Sequence, residues 1–80
     1  MTALPEPAAV LDCRGQRCPL PVIELARCIA NVGAGAVVRV IADDPAAAHD
    51  IPAWCRMRGH TFRGRTNVAG SPAFDVVRAS

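Results

Sequence analysis

Two periods of apolar residues alternate along the chain, and each change of period marks an element. Residues 8–13 (Ala-Ala-Val-Leu-Asp-Cys) form a short apolar run ended by Arg14-Gly15, which predicts a first strand. From Pro19 to about Val32 the period becomes 3.6. Val22, Leu25, Ala26, Ile29 and Val32 share one face, Glu24, Arg27 and Asn31 the other, and Cys28 lies on the flank between. Gly33-Ala34-Gly35 ends this helix, with Gly33 suited to a left-handed cap. Residues 36–42 (Ala-Val-Val-Arg-Val-Ile-Ala) carry the strongest strand pattern. Val38, Val40 and Ala42 point one way and Val37, Arg39 and Ile41 the other, so both faces are largely apolar. In so small a domain helices cover one of them, which leaves the second as a candidate contact surface.

Asp43-Asp44-Pro45 ends that strand and opens a second helical segment, with Asp44 as N-cap and Pro45 at the first helical position. Pro52 allows two readings: one kinked helix from Pro45 to Arg58, or a short turn and a helix restarting at Asp50. The second is preferred. Ile51, Trp54 and Cys55 then face inward, Arg56 and Arg58 outward, and Gly59 closes the helix. Residues 60–66 and 73–78 read as two last strands around the breaker-rich turn 67–72, with Phe62, Phe74 and Val76 toward the core. The order βαβαββ predicts a two-layer α/β sandwich: a four-stranded mixed sheet with two helices on one face. A single domain is expected over residues 9–80, behind a flexible N-terminal tail at residues 1–8.

Length limits what such a chain does. A domain of 80 residues buries only about 60–65% of its unfolded surface, too little for a deep cofactor cavity. No apolar run approaches the length needed to span a bilayer, and the first residues lack the basic start and apolar stretch of a signal peptide. A cytoplasmic location and reduced thiols are therefore expected for the four cysteines. Their spacing, Cys13-x4-Cys18 with Cys28 and Cys55 far away, matches no zinc knuckle or ribbon, so no metal site is expected. A net charge of +2, with every basic residue an Arg, does not call for stable nucleic-acid binding. Arg56, Arg58, Arg63 and Arg65 are either a solvated surface or a docking patch for an acidic partner.

The chemistry concentrates at residues 13–21, Cys-Arg-Gly-Gln-Arg-Cys-Pro-Leu-Pro. Pro19 fits the first position of a helix and Pro21 its first turn, which makes Cys18 the N-cap. A sulfur there lies beside unpaired N–H groups and the positive end of the helix dipole, and Arg14 and Arg17 act in the same direction, favouring thiolate. The plainer alternative is a small buried residue before a proline. The polar Arg-Gly-Gln-Arg flank favours an exposed, reactive Cys18. Neither histidine acquires a catalytic role: His49 is expected to be exposed, and His60 to satisfy a terminal carbonyl.

Cys18-Pro19-Leu20-Pro21, preceded by Leu11-Asp12 and Gly15, resembles the Cys-Pro-x-Pro signature of the TusA (SirA-like) sulfur carrier proteins. A second block, Asp43-Asp44-Pro45-Ala46 followed by Asp50-Ile51-Pro52-Ala53-Trp54-Cys55 and Gly59-His60, is also similar to that family, and the likeness spans about residues 10–78. The resemblance implies the same βαβαββ sandwich, a persulfide carried on Cys18, and no organic cofactor or metal. It also implies two kinds of partner: a cysteine desulfurase or rhodanese-like sulfur donor, and a downstream sulfur-acceptor protein. With an ionised thiol, no general base is required. The chain departs from the family at Ala26-Arg27, where many members carry two basic residues, and at Leu20, which is acidic in some tRNA-thiolation members. Cys13 has two readings: a resolving thiol that closes a disulfide with Cys18, or a strand residue pointing away from the loop, which is preferred. Two further functions stand beside the sulfur relay: a redox switch built on Cys13 and Cys18, and a non-catalytic interaction module.

Overall fold

The computed structural model describes residues 7–79. Six elements follow in the order β1 (Ala9–Asp12), α1 (Leu20–Ile29), β2 (Val37–Ile41), α2 (Ala47–Arg58), β3 (Thr61–Val68) and β4 (Ser71–Val77). They build a four-stranded mixed sheet in the order β1-β2-β4-β3. β1 runs parallel to β2, with Leu11 opposite Val40, while β4 is antiparallel to both of its neighbours. This is the two-layer sandwich that the periodicity predicts. Of the predicted tail, residues 1–6 lie outside the described residues, and the Ala8 N–H already bonds the Val37 carbonyl at 2.7 Å.

Alternation along β2 decides where the core lies. Val38, Val40 and Ala42 are at most 1% exposed and join Leu25 and Ile29 of α1, Ile51, Trp54 and Cys55 of α2, and Phe74 and Val76 of β4. At ~25 cal/mol per Å² of apolar surface withdrawn from water, this cluster is the main driving force of the fold. Both helices therefore cover one face. On the other, Arg39 of β2 pairs bidentately with Asp75 directly across on β4, at 2.8 and 2.9 Å.

Four elements differ from the sequence reading. α1 ends at Ile29, where the Asn31 N–H returns to the Cys28 carbonyl and its Nδ2 donates to the Arg27 carbonyl. The glycine with positive φ is Gly35, in the turn closed by the Ala36 N–H on the Gly33 carbonyl, not Gly33. Past the helix end, the Arg78 guanidinium donates to the carbonyls of Ala30 and Val32. α2 is continuous from Ala47 to Arg58 with Pro52 inside it, so the restart at Asp50 is overturned. The Asp50 N–H already bonds the Ala46 carbonyl at 2.8 Å, and the carbonyl that Pro52 leaves without its helical donor belongs to the exposed Ala48. Asp44 precedes the helix rather than capping it. Its Oδ1 accepts the Ala46 N–H, and its backbone carbonyl accepts that of Ala47.

The fourth difference is the hairpin. Its turn is two residues, Ala69-Gly70, both with positive φ (50° and 82°), as a twisted β-ribbon requires. Pro72 is tolerated in β4 because the Val68–Ser71 pair flanking the turn carries the ladder bonds. The edge of Pro72 that lacks an N–H then faces past the end of β2, where Ala42 donates to its carbonyl. At the far end of α2, Gly59 at φ 77° lets the His60 N–H return to the Cys55 carbonyl, which stops the helix as expected. The His60 ring does not meet a terminal carbonyl. It stacks on Trp54 at 5.2 Å and accepts the Ala79 N–H on Nδ1.

Candidate functional site

Three segments converge where β1 and β2 end. Beyond β1 the chain makes a tight turn, in which the Gln16 N–H returns to the Cys13 carbonyl and Gly15 adopts φ 80°. Beyond β2, Asp43 and Asp44 reach across to that turn. Asp43 Oδ1 accepts the Gly15 N–H at 3.0 Å, and Asp44 Oδ2 accepts the Cys18 N–H at 2.7 Å. The third segment is the first turn of α2, from which Asp50 Oδ2 accepts the Cys18 thiol hydrogen at 2.8 Å. Cys18 is exposed, Cys28 half-buried, and Cys13 and Cys55 are each 1% exposed. One sulfur is thus presented to solvent, on a loop whose backbone is fastened from two sides.

The helix tip is not the thiolate cradle that the sequence implies. α1 begins at Leu20 with Pro19 in the N-cap position, so Cys18 lies one residue further out, joined to Pro19 by a cis peptide bond. Pro21 has no N–H to offer, Leu20 donates to the Arg17 carbonyl, and Ile23 donates to the Pro19 carbonyl. Among the described residues, no backbone N–H donates to the Cys18 sulfur. Arg14 is committed elsewhere: its guanidinium forms a bidentate pair with Asp12 at 2.8 and 2.7 Å and pulls that carboxyl down to about 2. The charge of Arg17 acts on Asp44, which is held below the ordinary carboxylate range first by the Cys18 N–H and then by the Ala46 N–H. Pro21 packs into the interior and Pro19 lines the groove beside the sulfur.

The charge that faces the sulfur is therefore negative. The Asp50 hydrogen bond, partial desolvation, and the charges of Asp50 and Asp44 together raise the Cys18 thiol above its ordinary value. This corrects two expectations at once: Cys18 rests as a thiol, and a carboxylate stands against its proton. Cys13, five residues earlier, sits in the core, where burial, and after it the charges of Glu24 and Asp12, raise its thiol. Its backbone N–H continues the β1–β2 ladder to the Ile41 carbonyl.

On the side away from Asp44, an open groove of about 350 Å³ runs between the helices, lined by Cys18, Pro19, Val22, Asp50, Ala53, Trp54 and Met57. Its walls are apolar apart from Asp50. Met57 is 75% exposed, and Leu20 and Ile23 stand out from α1 at 47% and 39%. Among the described residues no three His, Cys, Asp or Glu side chains converge as a metal site, and no helix is long and apolar enough to cross a membrane.

Residue-by-residue reading missed Asp43 and Asp50 as parts of the site, and gave Asp44 a helix-capping role instead of an anchoring one. The signal was present in the second sequence block, where an acidic pair precedes a proline and a third Asp follows Asp44 by six residues. Nothing in the spacing says that this block folds back over Cys18. That contact depends on parallel pairing, which brings the ends of β1 and β2 together.

Residues 9–74 match the family described as sulfurtransferase TusA. The sulfur carrier protein TusA of Pseudomonas putida (strain GB-1) is 42% identical over 65 residues, 81% of each chain. That of Pseudomonas entomophila (strain L48) is 41% identical over 63 residues, 79% of each chain. The crystal structure of a SirA-like protein from Desulfitobacterium hafniense superposes with a TM-score of 0.77 at 26% identity, covering 90% of this chain and 99% of that one. With the Cys-Pro-x-Pro segment, the βαβαββ sandwich and a match over nearly the whole domain, this chain belongs to the TusA family.

Proposed function

We propose that Cys18 accepts a sulfane sulfur as a persulfide and relays it to the thiol of an acceptor protein. The donor is a cysteine desulfurase or a rhodanese-like protein that presents a persulfide of its own. The deprotonated Cys18 sulfur attacks the outer sulfur of that persulfide. A new S–S bond forms on Cys18, the donor's S–S bond breaks, and the donor cysteine leaves as a thiolate that takes up the proton Cys18 has lost. Delivery repeats the exchange with the acceptor thiol as nucleophile. No net oxidation occurs, and the exchange calls for neither a metal nor an organic cofactor. It suits the cytoplasm, where thiols are kept reduced, and asks only for transient protein contacts, with no nucleic acid or membrane.

One observation carries this reading. A single thiol stands exposed at the mouth of an apolar groove, on a loop anchored through the N–H groups of Gly15 and Cys18. Exchange between two proteins needs access to the sulfur above all. A redox switch through Cys13 asks for more, since that sulfur is 1% exposed and must leave the core to form the bond. A non-catalytic module would have no use for a thiol set against a carboxylate.

Intact-protein mass separates the three. After incubation with a cysteine desulfurase and cysteine, without reductant, the wild-type protein is expected to gain one reductant-labile sulfur. Cys13→Ser, Cys28→Ser and Cys55→Ser keep that gain, and Cys18→Ser loses it. A loss of two hydrogens that needs both Cys13 and Cys18 would replace the relay with the switch. No change with this donor, thiosulfate or polysulfide would leave the module.

A further inference from the structure

We propose that Asp50 makes this protein a carrier rather than a store: it holds the empty Cys18 as a quiet thiol and destabilises the sulfur-loaded anion, so that the equilibrium favours discharge. The inference rests on the reading of Cys18 as a persulfide carrier and adds a residue which that reading does not require.

The geometry comes first. Asp50 arrives from another helix, 32 residues along the chain, and places Oδ2 2.8 Å from the Cys18 sulfur. Its second oxygen lies 3.6 Å from Nδ1 of the exposed His49, which pairs with it only when protonated. From the loop before α2, Asp44 adds a second negative charge near the sulfur and takes the Cys18 N–H for itself. From the loop before α1, Arg17 acts on Asp44 and Arg14 is paired with Asp12. Asp43 is turned toward the Gly15 N–H. Val22, Ala53, Trp54 and Met57, on the groove side, carry no charge. Between them these groups leave an anion on Cys18 without a cation or a backbone donor among the described residues.

Loading moves the reactive atom about 2 Å outward, the length of one S–S bond. A persulfide is a stronger acid than the thiol it replaces, so the loaded group tends toward the anion. The proton that joined Sγ to Asp50 is then gone, and a carboxylate faces a negative sulfur pair. The outer sulfur extends from an exposed position along the open apolar groove, where water reaches it. The charged groups that act on Cys18 are the carboxylates of Asp50 and Asp44, and the groove lining offers no cation. When an acceptor thiolate attacks the outer sulfur, a new S–S bond forms on the acceptor and the Cys18 S–S bond breaks. Cys18 leaves as a thiolate, takes the proton released by the acceptor thiol, and donates it again to Asp50. The empty state recovers a hydrogen bond that the loaded state lacks. Raised thiol basicity at Cys18 is the other face of this arrangement.

The test compares wild type with Asp50→Asn, which keeps shape and hydrogen bonding but not charge, and with Asp50→Glu, which restores the charge. Two readouts are needed, after Trp54 fluorescence shows that all three proteins are folded. The first is the pH profile of iodoacetamide alkylation, followed on the peptide that contains Cys18. Its midpoint is expected to fall in Asp50→Asn, with thiolate at neutral pH rising about tenfold, the equivalent of one pKa unit. Asp50→Glu moves it back toward wild type. The second is the fraction of protein still loaded after equilibration with a fixed excess of a small thiol, read by intact mass. The loaded-to-empty ratio is expected to rise about tenfold in Asp50→Asn for the same change in anion stability. A midpoint that stays or rises, or a loaded fraction that stays or falls, overturns the inference. Wild-type protein that never loads overturns the carrier reading and this inference with it; wild type that loads while Asp50→Asn retains no more sulfur overturns this inference alone.

Discussion

Ile51 adjoins the residue that meets Cys18, and its side chain is fully buried in the cluster between the helices and the sheet. Replacing it with Ala removes three carbons from an enclosed site. At ~0.8 kcal/mol per buried carbon the transfer loss is about 2.4 kcal/mol, and the cavity left behind brings the total to about 3–4 kcal/mol. A domain of 80 residues has roughly 4–12 kcal/mol of stability in all, so the change removes a large part of it. Each kcal/mol corresponds to about 4–8 °C in a domain of this size, which places the fall in Tm at about 12–30 °C. Urea unfolding followed by fluorescence measures this directly, because Trp54 is the single tryptophan and is buried against His60. The urea midpoint is expected to fall with little change in slope. Below the transition Cys18 should still take up sulfur, since the exposed chemistry is built from Asp44, Asp50 and the loop rather than from Ile51. A loss below about 1 kcal/mol would refute the reasoning, because Ile51 could then not be filling a closed, poorly relaxing site.

Two other outcomes test smaller features. Asp12 is expected to titrate at about 2 by NMR, and Arg14→Gln to return it toward its ordinary 3.8. Because the folded value is depressed, the Asp12–Arg14 contribution to stability is present above about pH 4 and is lost as pH falls through about 2; an Asp12 that titrates normally in the wild-type protein removes it. Ala69→Asn should raise stability by about 0.5–1 kcal/mol, because Ala69 is an L-residue with a side chain at φ 50° in a two-residue hairpin where Asn-Gly is the favoured pair. Thermal unfolding reads this change, and a fall in Tm would contradict the turn geometry.

The sandwich was legible because its periods are clean. The 3.6 repeat through Leu25 and Ile29 and the β-branched run through Val38 and Val40 each bury what they predict. Boundaries were less legible. α1 stops short of Val32 because Asn31 takes the carbonyls of Arg27 and Cys28. The carbonyls of Ala30 and Val32 beyond it are met by Arg78, 46 residues past Val32, which no local pattern contains. Pro52 misled because breaker chemistry is a local rule, whereas the continuity of α2 is set by Ile51, Trp54 and Cys55 fitting the core on one line. At the site, the identity of the exposed sulfur was readable from a glycine loop and two prolines. Its electrostatic sign was not. Both nearby arginines are adjacent in sequence, but the groups that meet Cys18 in space are Asp44 and Asp50, from 26 and 32 residues away.

Pro52 has a consequence for motion as well as for shape. The rung it removes lies between the first turn of α2, which holds Asp50, and the rest of the helix, anchored by Trp54 and Cys55. A helix missing one rung divides more readily into units that open separately. Amide protons of the first turn should therefore exchange with solvent sooner than those near Trp54, an opening that uncovers Ala47 but leaves Trp54 and Cys55 in place. Each such opening carries Asp50 away from the sulfur for its duration. The proton on Cys18 is then guarded by a latch whose opening rate is set by one turn of helix, not by the stability of the whole domain.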